Sequence, residues 1–361
     1  MSGFDVDAFW SEEPRCRGRA FSTDKPRCPI SLSLDDHWLL DELRPASVQP
    51  YFRDPDVRAE LHRRANERCA SEIGIRPFSE AVEPPGPLRL ERVLGCPEEI
   101  HEGGTPWLGP AVSDPGALSR LLDAVESWTD SDLLERALVG NRVVAPAAGP
   151  AAAWTRGPAT MATSVVGTTE LMYLVVDEPD LAERLFAVLG QTIVRYHRVL
   201  AEAAGSEVRG CGILDDNCAL FSRPMYDRFC LPAVRTVLDS LAAEPGDMRF
   251  QHSDSDMGHL MPSLATLGLT GCNFGPRIPA ADIRACLPRT EIYGQVAPMT
   301  LRSGERDAIF GEVRRDFAAV GAGGGWTVAT AGSIPAGTSL ESVRTFLEAV
   351  GSETRYDAQS P

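Results

Sequence analysis

The sequence predicts an α/β protein of the (β/α)8-barrel (TIM barrel) class. Short apolar runs alternate with longer stretches whose apolar residues recur at helical spacing. That strand-then-helix rhythm belongs to parallel strands joined by helical crossovers, and about eight such units suit a barrel. The competing open, doubly wound sheet would carry a glycine-rich phosphate loop after an early strand, and none is present. Gly321-Ala322-Gly323-Gly324-Gly325 precedes a strand and reads as a flexible connector.

Taken in order, residues 1–25 read as a surface extension, residues 26–352 as the barrel and residues 353–361 as a polar tail. The expected strands are Pro29–Leu34, Arg142–Ala147, Val208–Leu214, Met248–Gln251, Gly271–Phe274, Glu291–Val296 and Trp326–Thr330, with an eighth in the Leu88–Cys96 region. Between them the apolar spacing predicts helices. Ala117 to Trp128 carries Leu118, Leu121, Leu122 and Val125 on one face, and Leu181 to Ala203 carries Leu185, Val188, Leu189, Ile193 and Tyr196. Met225 to Leu241, Ile309 to Val320 and Ser339 to Val350 complete the set.

The 361 residues carry 35 Lys plus Arg against 51 Asp plus Glu, a formal charge of −16. That balance argues against nucleic acid or an anionic membrane as partner, since both call for a basic surface. A local arginine pocket for an anionic small molecule stays compatible with it. The acidic start, MSGFDVDAFWSEE, lacks the basic and apolar regions of a signal peptide, and no apolar run is long enough to span a bilayer, so the expected location is the cytoplasm. The nine cysteines form no CxxC pair; neither a disulfide framework nor a zinc ribbon is indicated, and most are expected to be buried as small apolar residues.

A barrel places its chemistry at the C-terminal ends of its strands. Three strand ends carry carboxylates: Asp35-Asp36-His37 after Leu34, Asp215-Asp216-Asn217 after Leu214, and His252-Ser253-Asp254-Ser255-Asp256 after Gln251. Adjacent Asp215 and Asp216 face opposite ways in an extended chain, so one of them is expected to reach the site and act as base or charge partner. The plain alternative is one helix cap and one solvated charge. His252 reads as a metal ligand or general acid/base, and Asp254 as a ligand beside it or as a cap for the following helix. His37 is a candidate substrate contact or part of a helix start. Glu80, near the expected mouth, could bind a cationic group. Arg156 could clamp a carboxylate, and Asn217 and Gln295 could orient a substrate. Trp107 and Trp154 could wall the pocket or lie in the core.

An ordered set of segments resembles the uroporphyrinogen decarboxylase superfamily, which also includes zinc-dependent methyltransferases that exchange methyl groups with corrinoids. Phe78-Ser79-Glu80-Ala81-Val82 resembles the decarboxylase segment Phe-Ser-Asp-Ile-Leu, and Gly157-Pro158-Ala159-Thr160 the Gly-Pro-x-Thr motif. Leu214-Asp215-Asp216, followed by Phe221-Ser222-Arg223-Pro224 and Phe229-Cys230-Leu231-Pro232, is similar to the mid-barrel strand-helix unit. Tyr293-Gly294-Gln295-Val296-Ala297-Pro298 resembles Gly-Asn-Val-Asp-Pro, and Gly332-Ser333-Ile334-Pro335 the last strand-helix turn. The resemblance runs from about Pro26 to Val350 and implies the same barrel.

The departures choose between branches. The decarboxylase Asp becomes Glu80, its Tyr falls near Ser164 or Val165, and its late His falls at Gly332. Arg15-Cys16-Arg17-Gly18-Arg19 has the letters of the Arg-Gln-Ala-Gly-Arg motif but lies before the first expected strand. The methyltransferase branch implies zinc on a His-x-Cys and a late Cys; here His252-Ser253-Asp254 puts Asp for Cys, and Gly332 stands at the late position. The resemblance therefore implies handling of a one-carbon group. Methyl transfer to or from a small polar substrate is expected, with a corrinoid as donor or acceptor and zinc as the candidate metal. The alternatives are a decarboxylase without a cofactor that uses Asp216 or His252 to protonate a carbanion, and a ligand-binding barrel without activity. A small-molecule substrate, a corrinoid protein and a second copy of the chain are the expected partners. Acidic residues at the expected mouth disfavour a highly anionic tetrapyrrole.

Overall fold

The structure is a computed structural model that describes residues 4–101 and 106–356. The chain falls into two compact units, one of residues 83–101 and 106–269, the other of residues 4–82 and 270–356.

The first unit is built on three parallel strands in chain order: β1 (Ala151–Arg156), β2 (Val208–Leu214) and β3 (Arg249–Ser253). In register, Trp154 lies opposite Gly212 and Gly212 opposite Phe250; one step further along the same face, Arg156 lies opposite Leu214 and Leu214 opposite His252. The alternate residues Ala153, Thr155, Cys211, Ile213, Gln251 and Ser253 are buried on the other face. Helices Pro158–Val166, Thr168–Asp177 and Pro179–Ala203 connect β1 to β2, and Leu231–Leu241 leads into β3. The first and third of these helices start on a proline, whose missing N–H costs no helical bond there, and the second follows Gly167 in a positive-φ conformation.

The second unit has strands β4 (Gly271–Phe274), β5 (Glu291–Val296) and β6 (Trp326–Thr330), again parallel and in chain order. Beside β6, Ile30 makes a single parallel bridge to Val328. Helix Leu340–Glu353 packs on Arg306–Asp316 and on Pro55–Ile73.

Several elements differ from the sequence expectation. Arg142–Ala147 forms no strand; its Val143 and Ala147 N–H groups donate singly to the Pro85 and Ala204 carbonyls, and Pro146 offers no N–H to a ladder. The strand forms instead at alanine-rich β1. In the Leu88–Cys96 region Leu90–Val93 forms a helical turn, with Glu91 buried within it. Pro29–Leu34 is reduced to its one bridge, flanked by Pro26 and Pro29. Residues 1–25 are more than a surface extension: Val6–Cys16 is a helix that buries Phe9, Glu13 and Cys16, and Arg27 pairs with Glu13 at 2.9 Å in full burial. The tail expectation divides. Thr354 accepts from the Cys28 N–H at 3.2 Å and Tyr356 is packed, while residues 357–361 lie outside the described residues. Eight of the nine cysteines are buried and Cys286 is exposed. No single helix among the described residues is long and apolar enough to cross a membrane; the one pair that would suffice jointly, Pro158–Val166 and Thr168–Asp177, is bent by 102°.

His197 sits on the long helix Pro179–Ala203 with its ring edge-on to Tyr196 at 5.2 Å. Burial pushes its pKa down to about 4. The unfolded chain therefore binds this proton more tightly than the folded one. Stability is complete above the ordinary histidine value and is lost as pH falls through 4. The shift corresponds to about 3 kcal/mol. In urea unfolding, His197→Gln is expected to flatten the loss of stability between roughly pH 6.5 and 4; an unchanged slope would refute the assignment.

Candidate metal centre

The ends of β2 and β3 bring three donors together. Asp216 opens a tight turn, Asp216–Leu220, directly after β2. His252 lies within β3 on the face shared with Arg156, and Asp254 follows the strand. One ligand atom from each of Asp216, His252 and Asp254 lies within 4.8 Å of the other two. His252 Nε2 is 3.3 Å from Asp254 Oδ1, and the Asp254 backbone N–H donates to Asp216 Oδ1 at 2.7 Å. The side chain of His252 is largely shielded, and that of Asp254 is open. One imidazole nitrogen and two carboxylate oxygens form a donor set that zinc and similar divalent ions accept. The third donor is Asp216, two residues past the strand.

Asp215 is turned the other way. Its carboxylate is fully buried and accepts from the Thr160 N–H at 2.7 Å and the Ala159 N–H at 3.4 Å, capping helix Pro158–Val166. Burial pushes its pKa up to about 6, against the lowering effect of the Thr160 hydrogen bonds. Gly157 makes this possible: a Cβ there would lie 2.2 Å from Asp215 Cγ. Asn217 is also tied to that helix, through its N–H to Thr160 Oγ1 at 3.2 Å and its Nδ2 to Thr163 Oγ1 at 2.5 Å. Cys218, next along the turn, is buried, and desolvation raises its pKa well above the ordinary thiol value, with Asp215 and Asp216 adding to the rise.

Arg156 holds the end of β1. Its Nε lies 3.2 Å from Oε1 of Glu91, a carboxylate buried at 3% exposure. Two strand spacings, about 9.6 Å, separate Arg156 from His252 along their shared row. Trp154, one row below, keeps half its surface open and lies against Phe250, with ring centroids 5.4 Å apart. Trp107 is exposed in the two-residue strand Trp107–Leu108.

The remaining expected site residues belong to the other unit. Glu80 accepts from Asn66 Nδ2 and from Arg76 Nη1, each at 2.8 Å, and these partners, Asn66 foremost, hold its pKa below the ordinary carboxylate value. Gln295 is buried; its Nε2 donates to the Gly275 and Ile278 carbonyls at 3.0 and 2.8 Å, while its Oε1 has no hydrogen-bond partner among the described residues. The amide thus holds the loop after β4. His37 is exposed in the first turn of Asp36–Leu43, where Asp35 caps the Trp38 N–H at 3.0 Å and Asp36 accepts from the Tyr51 hydroxyl at 2.6 Å.

Two participants escaped the sequence reading. Glu91 is one charge in an ordinary Leu-Glu-Arg-Val stretch, and nothing local marks it as Arg156's partner 65 residues away. Gly212, inside a strand, did carry a signal: a glycine there marks close approach of another group.

Among known proteins, the sequence model of the uroporphyrinogen decarboxylase (URO-D) family matches residues 42–352. No curated protein matches the sequence. A solved methyltransferase from Methanosarcina mazei is similar in fold, with a TM-score of 0.61 at 19% identity, over 96% of this chain and 98% of that one. The fold class is thus the α/β barrel class of that superfamily.

Proposed function

Since the chain belongs to the uroporphyrinogen decarboxylase family, we propose that it is an enzyme that moves a methyl group at a divalent-metal site held by His252, Asp216 and Asp254. The convergence of these three donors at adjacent strand ends carries the reading. His252 contributes a nitrogen ligand, and the two carboxylates offset the 2+ charge. The Asp254 N–H orients Asp216, as outer hydrogen bonds commonly orient metal ligands. A zinc-class ion bound there would supply Lewis acidity, lowering the pKa of an oxygen it binds. With no thiolate in the cluster the donor set is hard, which suits an oxygen-centred acceptor better than a thiol. A corrinoid-type carrier is the proposed methyl donor or acceptor. The name of the Methanosarcina mazei protein agrees with this direction.

The test is zinc-loaded protein mixed with methylcobalamin and a panel of alcohols and phenols. The corrinoid spectrum is expected to change with at least one acceptor, and the change to disappear in His252→Ala. Carbon dioxide release from uroporphyrinogen, or no spectral change with any acceptor, would overturn the proposal.

A further inference from the structure

We infer that the compound bound beside His252 is a planar aromatic ring carrying an oxygen substituent, seated on the indole of Trp154. This rests on the proposed metal site for the role of the oxygen, but the seat stands on its own observations. Trp154 leaves 50% of its surface open from the middle of a parallel strand whose flanking residues Ala153 and Thr155 are buried. An exposed indole in such a place is an unused apolar face. Its position is fixed by Gly212 on the neighbouring strand: a Cβ at 212 would lie 2.4 Å from Trp154 Cε3 and 2.5 Å from Cζ3, so the ring rests on bare β2 backbone. Phe250, opposite Gly212 on the third strand, tilts against it at 57°. The three positions form one continuous row: aromatic, glycine, aromatic.

The next row on the same face is Arg156, Leu214 and His252. Two residues of strand rise, about 6.6 Å, separate the rows. That is about the long dimension of a single substituted six-membered ring. A ring stacked on Trp154 thus presents an oxygen substituent at the level of His252, where Asp216 and Asp254 join it. Arg156, at the other end of that row, is already engaged through Nε by Glu91. The class inferred is an aromatic compound with an ether or hydroxyl oxygen. A saturated ring of the same outline would lose the offset stacking that an indole gives a flat π-system.

The test compares 4-methoxybenzoate with 4-methoxycyclohexanecarboxylate by calorimetry and tryptophan fluorescence, with and without zinc. The aromatic probe is expected to bind about five- to tenfold more tightly than the saturated one. Trp154→Ala is expected to abolish that preference and Trp154→Phe to keep most of it; the phenylalanine variant serves if the alanine variant unfolds. Equal affinity of the two probes for the native protein, or an undiminished preference in a folded Trp154→Ala, would overturn the inference. Zinc binding without an aromatic preference removes the seat and leaves the metal reading standing. An aromatic preference in a protein that binds no zinc keeps the seat and removes the metal reading.

Discussion

Purified protein is expected to bind one zinc-class ion per chain, and His252→Ala to weaken that binding by about 100-fold or more. The basis is arithmetic on the donors. His252 supplies the only nitrogen in the cluster of Asp216, His252 and Asp254, and its loss leaves two oxygens. Even the loss of groups that merely orient ligands costs about 10- to 100-fold in metal affinity, so the loss of a ligand sets a floor there. Asp216→Asn keeps the shape and its bond from the Asp254 N–H but removes one of two negative charges, so a smaller but clear loss is expected. Because the ligands bind metal in their deprotonated forms, affinity should also fall as the solution is acidified. Competition against a chelator measures all of these. If His252→Ala and Asp216→Asn each change affinity by less than about twofold, the cluster is only a set of solvated charges.

Gly157→Ala is expected to cost about 3 kcal/mol or more, read by urea or thermal unfolding. The new methyl would fall 2.2 Å from Asp215 Cγ and 2.3 Å from its Cβ, far inside contact distance. Neither party can yield cheaply. Gly157 is anchored by its N–H to the Leu214 carbonyl at 2.7 Å, and the Asp215 carboxylate is committed to the first turn of helix Pro158–Val166. Relief by moving Asp215 would leave the Thr160 and Ala159 N–H groups without their acceptor in a buried place. Because Asp216 follows directly, metal binding should weaken with stability. Asp215→Asn is the informative contrast. Its amide oxygen can still accept from Thr160 and the buried charge disappears, but its NH2 cannot accept from the Ala159 N–H, so a cost of about 1–2 kcal/mol, below that of Gly157→Ala, is expected. A Gly157→Ala protein within about 1 kcal/mol of the native one would show that β1 and β2 can separate at their ends.

The strands legible in the sequence are those buried over most of both faces. Gly271–Phe274, Glu291–Val296, Val208–Leu214 and Trp326–Thr330 form where they were read, because parallel strands covered on two sides leave near-continuous apolar runs. The strand Ala151–Arg156 was missed because alanine carries little strand preference, and the richer Val143-Val144 drew the assignment to a segment that Pro146 interrupts. At the site, the positions of Asp216, His252 and Asp254 follow from the rule that barrels place polar groups at strand ends. The division of labour between Asp215 and Asp216 does not follow, since it depends on which carboxylate meets the helix that begins after Gly157. The ties of Glu80 and Gln295 to neighbouring backbone and side chains are likewise tertiary facts with no local pattern.

The burial of the cysteines has a practical chemical corollary. Alkylating reagents and oxidants attack the thiolate. Desolvation pushes Cys28 up to about 11 and Cys69, Cys96 and Cys211 up to about 12, and raises Cys218 and Cys230 well above the usual thiol range. Cys286, at the end of helix Ala280–Cys286, is the exposed exception. Iodoacetamide on the folded chain is therefore expected to add one label, visible as a single mass increment. A metal held by imidazole and carboxylates survives that treatment, whereas one held by sulfur would be released as its ligands were capped.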